Sequence, residues 1–156
     1  MGSTHNGKTY LACALAQRAC REGYSVRYLR LPRLLSELAI ARGDGRYPHV
    51  LAALARVELL VLDDWGTAPL TSEQCRDLLE LLEDRYQRRS TLVPSQLPVS
   101  HWHEYLGDHT LADAILDRLV HNAHTLTLKG ESMRKHNKPL PGGRQEGRPG
   151  NENGSA

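Results

Sequence analysis

Gly2-Ser3-Thr4-His5-Asn6-Gly7-Lys8-Thr9 fits the pattern G-x-x-x-x-G-K-[ST] at every position. A turn of this composition lets successive backbone N–H groups wrap a phosphate. Gly2 and Gly7 stand where a side chain would block close approach or oppose a positive φ. Lys8 would reach β- and γ-phosphates as a mobile point charge, and Thr9 would offer its hydroxyl to Mg²⁺. The helix that starts here adds the positive end of its dipole. The plainer alternative is a glycine turn ahead of an ordinary helix.

Outward from this stretch the chain alternates between two periodicities. Leu11, Leu15 and Ala19 recur at spacing four within Tyr10 to Arg21, as in an amphipathic helix. Gly23 suits its stop. Ser25 to Leu31 reads as a strand. Pro32 then opens a helix with Leu34, Leu35, Leu38 and Ala39 as its buried stripe. Arg42-Gly43-Asp44-Gly45-Arg46 breaks that helix, and Val50 to Arg56 forms a short one. Thr71 and Gln74 make a capping box for a helix carrying Leu78, Leu79, Leu81 and Leu82. Ser90 to Ser95 is a further strand. His101 to Leu106 and Leu111 to Val120 are helices, and Thr125 to Lys129 alternates as a last strand would. Strands alternating with helices predict a parallel sheet covered on both faces.

The acids fall at one informative place. In Glu58-Leu59-Leu60-Val61-Leu62-Asp63-Asp64 a run of apolar residues, as in a strand buried on both faces, ends in two carboxylates. Such a strand carries Asp63 to the crevice where phosphates lie. There it can hold Mg²⁺ through water, and Asp64 can polarise an attacking water. A strand that simply ends in a solvated acidic turn is the alternative.

Composition narrows the rest. The chain has 156 residues and a net charge of +2, so no global field marks it for nucleic acid and any DNA contact is local. Cys13, Cys20 and Cys75 lack metal-ligand spacing and read as small buried hydrophobes of a reducing cytoplasm. No apolar run approaches the roughly 20 residues of a membrane helix, and no signal peptide is visible in the polar, glycine-bearing first residues. Residues 1–138 are expected to form one domain. From 139 to 156 the chain is Pro, Gly, Asn, Arg and Glu with little to bury, and is expected to be a disordered tail.

At this point a resemblance is close. Gly2 to Thr9, Leu11-Ala12-Cys13-Ala14-Leu15, Tyr24-Ser25-Val26-Arg27-Tyr28, Leu60-Val61-Leu62-Asp63-Asp64-Trp65-Gly66 and Ser95-Gln96-Leu97-Pro98 resemble the IstB family. So do His101-Trp102-His103-Glu104-Tyr105, Asp117-Arg118-Leu119-Val120 and Lys129-Gly130-Glu131-Ser132-Met133-Arg134. These are ATP-binding helpers of insertion-sequence transposases, AAA+ ATPases similar to the helicase loader DnaC. The resemblance implies a P-loop NTPase three-layer sandwich with a mainly parallel sheet. It implies ATP and Mg²⁺ as cofactors, with Gly2, Ser3, Thr4, His5, Asn6, Gly7, Lys8 and Thr9 on the nucleotide. Thr9 and Asp63 would serve the metal, Asp64 the water, and Ser95 and Gln96 would act as a sensor. Arg118 is either an arginine finger on a neighbouring subunit's γ-phosphate or a surface arginine paired with Asp117 or a nearby Glu. Arg134 is either a phosphate contact or part of a basic patch.

The partners implied are sequence-tolerant DNA, a cognate transposase and further copies of the chain, in a bacterial cytoplasm. Arg27, Arg30, Arg33, Arg42 and Arg46 would line a DNA channel or form a solvated face. His101, Trp102 and His103 would stack on a base, bind metal or begin a helix around one core aromatic. A DnaC-type helicase loader, an inactive remnant and a small-molecule phosphotransferase are the rival readings. Two departures from the family pattern stand out. Pro94 removes a ladder donor beside the sensor. The loop begins at residue 2, so the expected fold lacks the strand before the phosphate loop, as in a truncated product or one with a wrongly assigned start.

Overall fold

Strand β2 (Leu59–Asp63) lies between β1 (Val26–Arg30) and β3 (Ser90–Leu92) in a three-stranded parallel sheet of order β1-β2-β3. The computed structural model describes residues 7–121 and 123–128. The helices are α1 (Gly7–Arg21), α2 (Leu31–Asp44), α3 (Tyr47–Arg56), α4 (Ser72–Arg85), α5 (Trp102–Leu106) and α6 (His109–Leu119), with a 3₁₀ turn at Val99–His101.

The apolar run of β2 is fully buried at Leu60, Val61 and Leu62. Successive side chains of a strand point to opposite faces. Leu60 and Leu62 join the main core, with Leu34, Leu35 and Leu38 of α2 and Leu78, Leu81 and Leu82 of α4. Val61 points the other way, toward the face on which α1 packs with Ala12 buried. The sheet is therefore covered on both sides, as the alternating pattern predicts. Trp65 sits just past β2 against Trp102, ring centroids 4.9 Å apart, and Tyr105 at 5.5 Å. Thr71 and Gln74 form the expected capping box: Thr71 Oγ1 accepts the Gln74 N–H at 3.2 Å and Gln74 Oε1 accepts the Thr71 N–H at 3.0 Å.

Several sequence expectations need correction. α1 already includes Gly7, Lys8 and Thr9 ahead of Tyr10, and its stripe is only partly covered, since Leu15 remains 42% exposed. α2 runs through Gly43 and ends at Asp44, because the left-handed residue that stops it is Gly45 (φ +80°). α6 starts two residues early, where Asp108 accepts the Leu111 N–H at 3.1 Å as its cap. β3 stops at Leu92 instead of reaching Ser95. Pro94 has no N–H to give the ladder, and pairing resumes only as an isolated Trp65–Ser95 bridge. Thr125 to Leu128 forms no strand; together with Thr91 to Leu97 it lines a cavity of about 440 Å³ rather than pairing with β3. Lys129 and the 139–156 tail lie outside the described residues. Only Cys75 is a buried cysteine; Cys13 and Cys20 are exposed on α1. No helix among the described residues is long and apolar enough to cross a membrane.

Candidate nucleotide-binding site

Gly7, Lys8 and Thr9 form the first turn of α1, whose opening turn contains no acidic residue. Gly2, Ser3, Thr4, His5 and Asn6 lie outside the described residues. The Lys8 ammonium donates to the Ser95 carbonyl at 2.9 Å. Ser95 is itself bridged to Trp65, two residues beyond Asp63. The lysine thus reaches the carboxyl edge of the sheet, where β2 delivers its acids.

Asp63 is 6% exposed, and alternation from Val61 puts it on the α1 face of the sheet. Its Oδ1 accepts the Asp64 N–H at 2.8 Å, and its Oδ2 accepts the Tyr28 hydroxyl. Burial, then the neighbouring Asp63 carboxylate, hold the Tyr28 phenol above its ordinary pKa, so it stays a donor at neutral pH. Asp64 adopts the left-handed conformation (φ +58°), which Asp tolerates better than most residues. Its carboxylate meets Arg30 Nε at 2.8 Å. Ser95 Oγ accepts the Leu97 N–H at 3.0 Å and lies within donating distance of the Leu97 and Trp65 carbonyls, so the turn after β3 is tied to the turn after β2. Gln96 is exposed beside it.

The chemistry of the residues named for the cation suits a hard ion. Asp63, Asp64 and Thr9 offer oxygen only, and no group of three or more His, Cys, Asp or Glu among the described residues makes a dedicated metal cage. Mg²⁺ is typically held in this way, by one or two carboxylates together with phosphate oxygens and water.

Arg118 does not join this group. It projects from the last turn of α6 to Asp117 Oδ2 at 3.1 Å and Glu83 Oε1 at 3.4 Å, with Tyr86 stacked at 5.7 Å. It lines a second cavity with Leu59 and Ser90, the amino ends of β2 and β3. Within one chain it is therefore at the opposite end of the strands from Asp63. Arg134 lies outside the described residues.

Of the five arginines considered for DNA, Arg30 pairs with Asp64, Arg33 with Glu37, Arg42 with Asp77 and Arg46 with Asp44. Arg27 is exposed on β1. Trp102 is a core aromatic whose Nε1 donates to the Leu97 carbonyl at 2.9 Å, while His103 pairs with Asp113 at 2.9 Å.

Sequence reasoning read Tyr28 as an apolar strand residue and missed its contact with Asp63, as it missed that between Arg30 and Asp64. The usable signal is the register: parallel strands in step place Arg30 opposite Asp63, so whatever ends β1 flanks the acids.

A parallel sheet, a lysine at the start of α1 and strand-end acids on one sheet edge define the class as an AAA+-type α/β fold. Solved structures of that shape include the DnaC helicase loader, with a TM-score of 0.59 at 23% identity over 75% of this chain and 71% of that one. AMPPCP-bound DnaA from Aquifex aeolicus matches with a TM-score of 0.59 at 20% identity over 72% of this chain and 36% of that one. The chain belongs to the IstB-like ATP-binding protein family, whose model matches residues 1–140. Its relatives include the insertion-sequence ATP-binding protein y4pL of Sinorhizobium fredii, 59% identical over 86% of this chain and 55% of the relative. The insertion sequence IS21 ATP-binding protein of Pseudomonas aeruginosa is 38% identical over 91% of this chain and 54% of the relative. The chain thus spans about half the length of the relatives it matches.

Proposed function

We propose that this chain binds ATP with Mg²⁺ and works as the nucleotide-dependent part of a bacterial transposition helper. In this reading several copies assemble on DNA in the cytoplasm and recruit or stimulate a transposase. The supporting observation is the Lys8–Ser95 hydrogen bond, which brings the phosphate-loop lysine to the edge where Asp63 and Asp64 end. Gly2 to Gly7 would cradle phosphates, and Lys8 would exchange the Ser95 carbonyl for β- and γ-phosphate oxygens. Thr9 and Asp63 would hold the cation. When bound, Mg²⁺ neutralises charge on the phosphates. Asp64 would orient the attacking water after leaving Arg30, and Ser95 and Gln96 would register the γ-phosphate through the turn they share with Trp65. Arg118 would act only on a neighbouring copy's nucleotide, because its own chain holds it at the other end of the strands.

DNA contact would be made through phosphates, without sequence preference. A helicase-loader role is the second reading, supported by the 71% of the DnaC loader chain that this fold covers. Family membership favours the first.

Light scattering of the chain with mixed-sequence duplex DNA tests the proposal. Assembly is expected with Mg²⁺ and ATP, and is expected to be lost in Lys8→Ala. Assembly that is equal without nucleotide and in Lys8→Ala overturns it.

A further inference from the structure

The phenol of Tyr28 is the one side chain among the described residues that hydrogen-bonds the Asp63 carboxylate. Tyr28 pairs in register with Val61, and Asp63 follows two residues later, so all three share one face of the sheet. The tyrosine lies along that face and reaches forward to Oδ2, while the Asp64 N–H occupies Oδ1 at 2.8 Å. An ionised carboxylate offers about four lone-pair sites over two oxygens. With one donor on each oxygen, rotation of the carboxylate about its Cβ–Cγ bond is stopped and one lone pair on each oxygen stays available. Tyr28 is 40% exposed and lies outside the main core cluster.

We propose that Tyr28 is a positioning residue that fixes the Asp63 carboxylate in the orientation in which it serves the cation of bound nucleotide. This rests on the nucleotide reading above. Mg²⁺ keeps much of its water, so a carboxylate that meets it through water must present its lone pairs in a fixed direction. Partners that orient a metal's ligand typically change metal affinity 10- to 100-fold when removed. Tyr28→Phe deletes the donor and keeps the ring.

The test is a Mg²⁺ titration of fluorescent-ATP binding to the full chain, in wild type, Tyr28→Phe and Asp63→Asn, with binding in EDTA as the control. Tyr28→Phe is expected to need about tenfold more Mg²⁺ for half-maximal binding. Its affinity in EDTA should equal that of the wild type. An unchanged or lowered Mg²⁺ requirement in Tyr28→Phe, with a raised one in Asp63→Asn, overturns the positioning role alone. So does a loss of the same size in EDTA, which would mean a structural role. If Asp63→Asn leaves the Mg²⁺ requirement unchanged, or wild type binds no nucleotide, the metal reading itself fails and this inference with it.

Discussion

Lys8 and Ser95 are 87 positions apart and joined by a 2.9 Å hydrogen bond from an ammonium to a backbone carbonyl. The bond ties the start of α1 to the turn after β3. In the nucleotide reading proposed above, the ammonium exchanges this acceptor for phosphate oxygens. A neutral carbonyl then gives way to an anionic oxygen, which adds the attraction of opposite charges to the hydrogen bond. Lys8→Ala is therefore expected to weaken ATP binding about 10- to 100-fold, the equivalent of roughly 1.5–3 kcal/mol for a bond to a charged group. Fluorescent-nucleotide titration measures this, and an unchanged affinity removes Lys8 from the site.

The start of β2 carries a pH-dependent clamp. Glu58 Oε2 accepts the Ser25 N–H at 2.7 Å and the Ser25 hydroxyl at 3.2 Å, and Ser25 Oγ accepts the Glu58 N–H at 3.0 Å. The bond from the Ser25 N–H, before the hydroxyl, holds the Glu58 carboxyl below its ordinary pKa. A carboxylate depressed in the fold stabilises above its unfolded pKa and loses that contribution as pH falls through the folded value. Wild type should melt above Glu58→Gln at pH 7, and the gap should close under acid conditions. Melting curves of the two proteins from pH 7 down to about pH 3 decide it, since this spans the carboxylate range. A gap that does not change with pH contradicts the ionic origin.

The axis of the fold was legible because local chemistry dictates it. The apolar run Leu59 to Leu62 needs burial on both faces, and Thr71 with Gln74 needs no distant partner to cap a helix. What could not be read depends on register or on long-range neighbours. Tyr28 looks like an ordinary strand residue until β1 is set in step with β2, which brings its hydroxyl to Asp63. Arg85 looks like a helix-end cation, yet it is 1% exposed. Its guanidinium donates to the carbonyls of Leu54, Val57 and Ser90. Burial lowers its pKa to about 10, which leaves it charged at neutral pH. The alternation of Thr125 to Leu128 predicted a strand, but a strand needs a partner, and these residues face a cavity instead.

Gly66 and Gly23 separate two costs of a side chain. Both have positive φ, +86° and +89°. At Gly23 an added Cβ would meet nothing within 4 Å, whereas at Gly66 it would come 2.9 Å from Leu97 Cβ. Leu97 is held in place by Ser95 Oγ and Trp102 Nε1, so it has little freedom to withdraw. Gly23→Ala should cost about 1 kcal/mol for the left-handed backbone alone. Gly66→Ala should cost about 2–3 kcal/mol, with overpacking added. Urea unfolding of both variants checks the order, and equal losses would refute the close approach to Leu97.

Arg118 makes a prediction that only mixed assemblies can check. Its partners Asp117 and Glu83 are half exposed, so their ion pairs add little stability, within about 1 kcal/mol. Arg118→Ala should therefore melt near the wild type and bind nucleotide equally well. If the guanidinium reaches a neighbour's γ-phosphate, hydrolysis should fall by about 10³-fold, the lower range for an arginine finger. Lys8→Ala keeps the arginine but holds its own nucleotide weakly and lacks the phosphate-loop lysine, and Arg118→Ala keeps its nucleotide but loses the arginine. Each variant alone should be nearly inactive, and a mixture should regain part of the rate, since some interfaces then join an intact phosphate loop to an intact arginine. Partial recovery in the mixture supports action across an interface. Full activity of Arg118→Ala alone excludes any catalytic part for the residue, and inactivity of every mixture overturns its action across an interface.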